Sequence, residues 1–375
     1  MYNSELSHLN LRQGVLAVNL AITLIRQGCK RNRAASRKCH NFMSLHFGKV
    51  LNKMLEDKFG RRFHYLRLSI TDVCNFKCNY CLPDGYACDT DRDFLALPEI
   101  KTLVNGFASL GTSKIRITGG EPSLRKDLPE IIKTCASAKG IKHVAMTSNG
   151  YKLESDIHKW VEAGLDSLNI SIDSLDPRMF AAITGHNKLE TILRGIDKAI
   201  ALGVKVKINA VLMKQYNEQE LQNFLTWLKT TPVTLRLIEL MQTGDNVSFF
   251  EQNHVSGMPI KEQLVANGWG QLIRDKAAGP AEEFFHPDYQ GNIGLIMPYS
   301  KDFCATCNRL RISATGKLHL CLFADQGLDI RPALQSADSL ELQAQLVTLL
   351  GDKEATHWLQ DGFTGATKHL AMLGG

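Results

Sequence analysis

Between Tyr65 and Leu240 short β-branched segments alternate with longer amphipathic ones, and no other feature restricts the fold as much. The strand segments are Tyr65–Thr71, Lys114–Thr118, His143–Thr147, Ser167–Asp173, Val204–Val211 and Thr234–Leu240. Helical patterns such as Leu128–Ala138, Ser155–Ala163, Glu190–Leu202 and Asn217–Lys229 lie between them, the last with Asn217 as its expected N-cap. Strands separated by helix-length crossovers pair in parallel, so six such units predict a parallel sheet. A complete eight-unit barrel needs about two units more, and after Leu240 the pattern gives way to Gly-, Pro- and Asp-rich sequence. The expected fold is therefore α/β, a partial TIM-like barrel of six strand-helix units over residues 54–244. A distinct C-terminal region, 245–375, closes or covers it. In such a sheet the chemistry gathers at the C-terminal ends of the strands.

The net charge of +6 suggests nucleic acid until its location is examined. Residues 1–53 hold nine Lys and Arg against Glu5 alone, a local charge of +8, which leaves −2 for the other 322 residues. The body therefore has no basic surplus with which to hold nucleic acid. The longest uncharged apolar stretch, Gly14–Ile25, has twelve residues, short of the roughly 20 that cross a bilayer. Most basic residues of the extension follow that stretch rather than precede it, which argues against a secretory signal. A mitochondrial presequence fits the composition better. The reading preferred is a disordered or untranslated extension, with translation starting at Met43 or Met54 and the protein in the cytoplasm.

Ten cysteines in 375 residues are too few for a secreted disulfide scaffold, and six fall in two groups. Directly after the first strand, Cys74, Cys78 and Cys81 form Cys-x3-Cys-x2-Cys. Three thiolates in one loop suit three corners of a 4Fe–4S cubane and leave the fourth iron without a ligand from the motif. The alternative, structural zinc, prefers paired Cys-x2-Cys knuckles and four closed ligands. Farther on come Cys304, Cys307 and, thirteen residues later, Cys321. Spacing alone allows zinc there, with His319 as a fourth ligand on the face of Cys321. Arg309 and Arg311 beside Cys307 favour an anion docking at the group, since Arg presents a donor fork to phosphate. Cys29, Cys39, Cys88 and Cys135 match neither group, and Cys135 falls in a helical pattern as a buried residue.

The first trio, with Tyr80 before its last cysteine, resembles the radical S-adenosylmethionine (SAM) enzymes. Gly119-Gly120-Glu121-Pro122 after the second strand strengthens the resemblance. Two glycines let a backbone edge approach a ligand, and Glu121 can accept from an ammonium group. The resemblance implies a cluster whose open iron chelates SAM, with SAM contacts at Tyr80, Gly120, Glu121, Ser171 and Met241. With the second trio, Arg116–Pro122, Ile238–Met241, Cys307–Arg311 and the terminal Gly374-Gly375, the chain is similar to the GTP 3′,8-cyclases of molybdenum cofactor biosynthesis over about Lys58–Gly375.

That likeness implies a barrel of the radical SAM type, a second 4Fe–4S cluster on Cys304, Cys307 and Cys321, and GTP contacts at Arg67, Arg116, Thr147, Lys207, Arg309, Leu310 and Arg311. Arg236 is implied to lie between the two substrates, and the tail residues Gly374 and Gly375 to enter the active site. The implied product is (8S)-3′,8-cyclo-7,8-dihydroguanosine 5′-triphosphate. The implied partners are an electron donor such as flavodoxin or ferredoxin, cyclic pyranopterin monophosphate synthase as recipient, and a second copy in a homodimer. The competing reading is a radical SAM peptide- or protein-modifying maturase with an auxiliary cluster.

Overall fold

Six strands form at the β-branched segments: β1 (Tyr65–Ser69), β2 (Lys114–Thr118), β3 (His143–Ser148), β4 (Ser167–Ser171), β5 (Lys205–Leu212) and β6 (Thr234–Glu239). They pair in parallel in chain order. Each end lies within two residues of its expected place. The computed structural model describes residues 54–86, 93–273, 279–336, 339–365, 367 and 370–374. The expectations for residues 1–53, Cys29, Cys39, Cys88 and Gly375 fall outside them.

The connections hold α1 (Leu97–Ser109), α2 (Leu128–Ala136), α3 (Leu153–Glu162), α4 (Pro177–Thr184), α5 (Leu189–Ala201) and α6 (Leu221–Leu228). One face of the strands packs on them. Leu66, Leu68, Ile115, Ile117, Leu168 and Ile170 are buried there with Phe107, Ile131, Trp160 and Ile192 of the helices, each side chain contributing about 1.5–3 kcal/mol. Cys135 of α2 belongs to this core, as its pattern predicts. The start of α4 was not legible as a helix, yet its signals are ordinary. Asp176 accepts from the N–H groups of Arg178 and Met179, Pro177 occupies the first turn, and Gly185 ends it at φ 73°.

Asn217 does not cap a helix, because α6 begins four residues later at Leu221. Its buried amide serves the strand ends instead: Nδ2 donates to the carbonyls of Asp173 (2.6 Å) and Val211 (2.8 Å), and Oδ1 accepts from Met213 N–H (2.9 Å). Buried carbonyls lacking a ladder partner compete for a side-chain donor, and here they outweigh the helix terminus.

Beyond residue 245 come α7 (Val247–Asn253), α8 (Met258–Ala266), β7 (Gly270–Gln271), β8 (Glu282–Phe285), β9 (Asn292–Ile296), β10 (Arg309–Ile312), β11 (Lys317–His319), β12 (Leu328–Asp329) and α9 (Leu340–Leu350). These strands extend the same sheet. β9 pairs in parallel with β6 and β10 in parallel with β1, so eight parallel strands stand in a row. Antiparallel β8 and β7 continue one edge, and β11 and β12 the other. The two strands that a six-unit barrel lacks are thus supplied by the C-terminal region. The change in sequence character near residue 244 falls within one sheet.

Candidate active site

The second face of the strands is polar, which a parallel sheet tolerates only where it lines a cavity. Strand register sets Arg311, Arg67 and Arg116 side by side on β10, β1 and β2, and Asn209 beside Arg236 on β5 and β6. These residues line a cavity of about 640 Å³. Among the described residues nine Lys and Arg line it, Lys207 and Arg309 among them, and no Asp or Glu does. Burial, together with neighbouring Arg311, pulls the Arg67 guanidinium down to about 9, and burial with Arg309 brings Arg311 to about 10. Cations crowded so closely repel one another, and an anion that enters relieves the repulsion.

Among the described residues a carboxylate meets two of these cations. Glu283 Oε1 on β8 accepts from Lys207 Nζ (2.8 Å) and Arg236 Nη2 (3.0 Å). Burial pushes the Glu283 carboxyl up, but the two cations outweigh it and hold it below its usual range. Arg236 is 9% exposed, and its Nε has no partner.

Cys304, Cys307 and Cys321 line the same cavity as free thiols. Burial raises the Cys307 thiol, but Lys353, Arg309 and Arg311 with the Arg309 N–H overcome it and lower the value to about 7. A thiol so placed is readily a thiolate ligand. Arg61 braces this loop from outside: its Nη1 donates to the carbonyls of Cys304 (3.2 Å) and Ala355 (2.6 Å), Nη2 to Glu354 O (2.6 Å), and Nε to Asp57 Oδ2 (2.6 Å). His319 does not join the trio. Its Nε2 packs against the Gly327 backbone, where a Cβ would lie 2.5 Å away. Burial, with Arg311 and Lys317, lowers its pKa to about 4.

Cys74, Cys78 and Cys81 occupy the loop after β1. The loop is held by the free carbonyls at the end of α4, which accept from Lys77 N–H (Thr184 O, 3.0 Å) and Asn79 N–H (Ile183 O, 3.1 Å). His186 stacks on Phe76 at 4.5 Å and bonds Asn75 O at 2.7 Å. Burial raises these thiols, Cys74 to about 11 and Cys81 to about 12, with Glu121 and Asp173 adding to the effect. Tyr80 donates to Asp173 Oδ2 (3.1 Å), while Asp173 Oδ1 accepts from Val211 N–H (2.8 Å). Burial brings the Asp173 carboxyl up to about 6.

The Gly-Gly-Glu-Pro turn departs from expectation in one respect. Its glycines admit the cysteine loop itself: a Cβ on Gly119 or Gly120 would overlap the carbonyls of Thr71 or Val73. The N–H groups of Gly120 and Glu121 donate to those carbonyls at 2.9 and 2.8 Å. Nor does the Glu121 carboxylate stand free. It is fully buried and accepts from Ser123 N–H (2.9 Å), Ser148 Oγ (2.9 Å) and Asn149 N–H (2.6 Å), joining the ends of β2 and β3.

The chain's last residues run between the trios. Leu370, Met372 and Leu373 pack with Tyr80, Cys81, Met241 and Cys321 in a second apolar cluster. The Ala371 and Leu370 N–H groups face Cys81 sulfur. Gly374 O accepts from Arg67 Nη2, and Gly374 has φ 61° with no room for a Cβ beside the Thr118 hydroxyl.

Of the residues singled out in the sequence, the cavity gathers Arg67, Arg116, Lys207, Arg236, Met241, Arg309, Arg311 and the second trio. Thr147 lies behind, accepting from Arg116 Nη1 at 3.3 Å. Leu310 is buried in the helix-packed core and is not among the residues that line the cavity. Tyr80, Ser171 and Gly120 stand toward the first trio, at the C-terminal strand ends. Sequence reasoning missed Tyr65, Lys114, Asn169, Lys205 and Asn209. Their signal was present as polar residues at every second position of strands in a parallel sheet, where an apolar run is the rule. Among the described residues no three Cys, His, Asp or Glu side chains converge on a point that would hold one ion.

Residues 68–228 match the family model of the Radical SAM superfamily, and residues 233–359 that of Molybdenum Cofactor Synthesis C. GTP 3′,8-cyclase of Tolumonas auensis is 57% identical over 331 residues, 88% of this chain and 98% of that protein. The Vibrio vulnificus enzyme of the same name is 57% identical over 329 residues, with 86% and 98% covered. Among solved structures, SuiB of Streptococcus suis bound to S-adenosylmethionine aligns with TM-score 0.56 at 13% identity, over 89% of this chain and 77% of SuiB, a likeness of fold alone. No helix among the described residues is long and apolar enough to cross a membrane.

Proposed function

The chain belongs to the GTP 3′,8-cyclase family of radical SAM enzymes, and from that premise we propose how its residues divide the work. It converts GTP to (8S)-3′,8-cyclo-7,8-dihydroguanosine 5′-triphosphate, the first step of molybdenum cofactor biosynthesis. It uses SAM and an iron–sulfur cluster, and the curated relatives give the maturase reading no support. The chemistry that SAM and its cluster would supply when bound is a radical able to take hydrogen from ribose carbon 3′ of GTP.

Cys74, Cys78 and Cys81 hold the first cluster within residues 54–244. Tyr80, Gly120, Ser171 and Met241 border SAM, with Glu121 fixing the turn that carries the glycine. Cys304, Cys307 and Cys321 would hold a second cluster within residues 245–375, at the wall of the cavity where the guanine end of GTP would lie. Arg67, Arg116, Lys207, Arg309, the Leu310 backbone and Arg311 hold GTP, Thr147 acts through Arg116, and Arg236 lies between the substrates. The nine cations among the described residues that line the cavity are the observation that best supports this cradle. Holding carbons 3′ and 8 within near-attack distance is the protein's main contribution. Gly374 threads backbone through a passage too narrow for a side chain.

The cytoplasm, a flavodoxin or ferredoxin as reductant and a homodimer complete the proposal, with the product passing to cyclic pyranopterin monophosphate synthase. Anaerobic incubation of the iron-loaded protein with SAM, reductant and each nucleoside triphosphate tests it. The expected result is a cyclised product from GTP alone. A protein that cleaves SAM without any GTP-dependent product would refute it.

A further inference from the structure

Tyr65 opens β1 at the end of the cavity remote from the first trio, and it is 6% exposed. Its phenol oxygen accepts from Arg116 Nε. The other side of that guanidinium is fixed too, since Nη1 donates to Met146 O (3.1 Å) and Thr147 Oγ1 (3.3 Å), which leaves Nη2 for a ligand. Lys114 Nζ stands 5.1 Å and the Arg116 guanidinium 5.9 Å from the centre of the Tyr65 ring. Arg67 on its own strand, Arg309 and Arg311 on β10, and Arg236 on β6 also face it. The largest influences on Tyr65 besides burial are all cations: Arg116, Arg67 and Lys114.

We propose that Tyr65 is a positioning residue for the nucleotide phosphates: its phenol oxygen is an internal counter-charge to Arg116 and Lys114 in the nucleotide-free cradle, and it takes up a proton from solvent when a triphosphate replaces it. This rests on the cavity's being the GTP cradle. Burial alone would raise the phenol, yet Arg116, Arg67 and Lys114 bring it from 10 down to about 7. The phosphates screen those same cations, so in the complex burial prevails and the phenol returns to or above its ordinary range. The sign follows from linkage. Above about pH 7 the free protein carries the phenolate and the complex the phenol, so binding consumes one proton. Below that pH both states carry the phenol, and none is consumed. Atoms balance simply: an O–H bond forms on Tyr65 and the proton comes from the buffer acid.

The test is calorimetric titration of the cluster-loaded protein with GTP, in the absence of SAM, in two buffers of different ionisation enthalpy. At about pH 8.5 the free nucleotide is already fully ionised. Wild type should take up about one proton more than Tyr65→Phe, which keeps the ring and loses the oxygen. Wild-type dissociation constants should rise up to about tenfold per pH unit above neutrality, a slope that Tyr65→Phe should flatten. The wild-type series stands alone if the variant does not fold: uptake at about pH 8.5 that vanishes at about pH 6 supports the proposal. Equal proton counts in the two proteins, or a wild-type affinity that does not weaken above neutrality, overturn it. Absence of GTP binding by wild type at every pH overturns the cradle itself, and this inference with it.

Discussion

The two cysteine trios are alike in composition and opposite in surroundings. Around Cys74, Cys78 and Cys81, burial and the carboxylates Glu121 and Asp173 push the thiols up. Around Cys307, Lys353, Arg309 and Arg311 overcome burial and bring the thiol to about 7. The first neighbourhood suits a cation, which SAM is at its sulfonium. The second suits an anion, as GTP is. On the proposed assignment, one donor set is fitted to two partners by the charges behind it rather than by the thiols themselves.

The largest effects should come from removing one thiol at each end. Cys78→Ala should abolish 5′-deoxyadenosine formation and with it all product. Cys307→Ala should keep SAM cleavage and lose only cyclisation. Iron counting should fall from about eight per chain to about four in each variant if both trios hold cubanes. Loss of SAM cleavage in both variants would erase the functional distinction between them.

The tail that joins the two regions should come next. Ending the chain at Leu373 keeps the apolar packing of Leu370, Met372 and Leu373 on both trios but removes the carbonyl that meets Arg67. Both clusters and SAM cleavage should survive while cyclisation falls by at least 100-fold, on the order of 3 kcal/mol of transition-state stabilisation. Gly374→Ala should behave similarly, because its φ of 61° and the Thr118 hydroxyl both exclude a Cβ. Product formation at the wild-type rate by either variant would assign the tail to packing alone.

The same comparison explains what could be seen in the sequence. The first trio was legible because its ligands, strand and turn are local: Cys74 to Cys81 span eight residues, directly after β1. The six parallel strands were legible by period. That β9 and β10 would join the two ends of that row was not, since short strands such as Arg309–Ile312 carry too few residues for a pattern. Asn217 looked like a helix cap because sequence shows the donor and not the buried carbonyls that claim it. Arg61 was invisible for the same reason, since three of its four acceptors are backbone atoms more than 240 residues away. The cradle cations could be named by family position, but their counter-charges, Tyr65 and Glu283, needed the register of the sheet.

Glu283 offers the finest distinction, because it sits on the cation-rich side and opposes it. Its Oε1 holds both Lys207 and Arg236 toward β8, so it weakens the cavity's pull on phosphate while fixing where Arg236 points. Glu283→Gln keeps the shape and removes the charge. Lys207 and Arg236 then present more positive field to the nucleotide, and KM for GTP should fall about two- to fivefold, the size of a partly exposed ion pair. Arg236 loses its charged anchor at the same time, so kcat should fall by a similar factor and leave kcat/KM nearly constant. SAM cleavage without GTP should be unaffected, because no group of the first trio's neighbourhood touches Glu283 in the bonds described. A rise in KM would mean that Glu283 serves the nucleotide directly. A change in neither constant would mean that Lys207 and Arg236 are placed by the strands alone, and the contrast between the two ends would then rest on the cations without a counterweight.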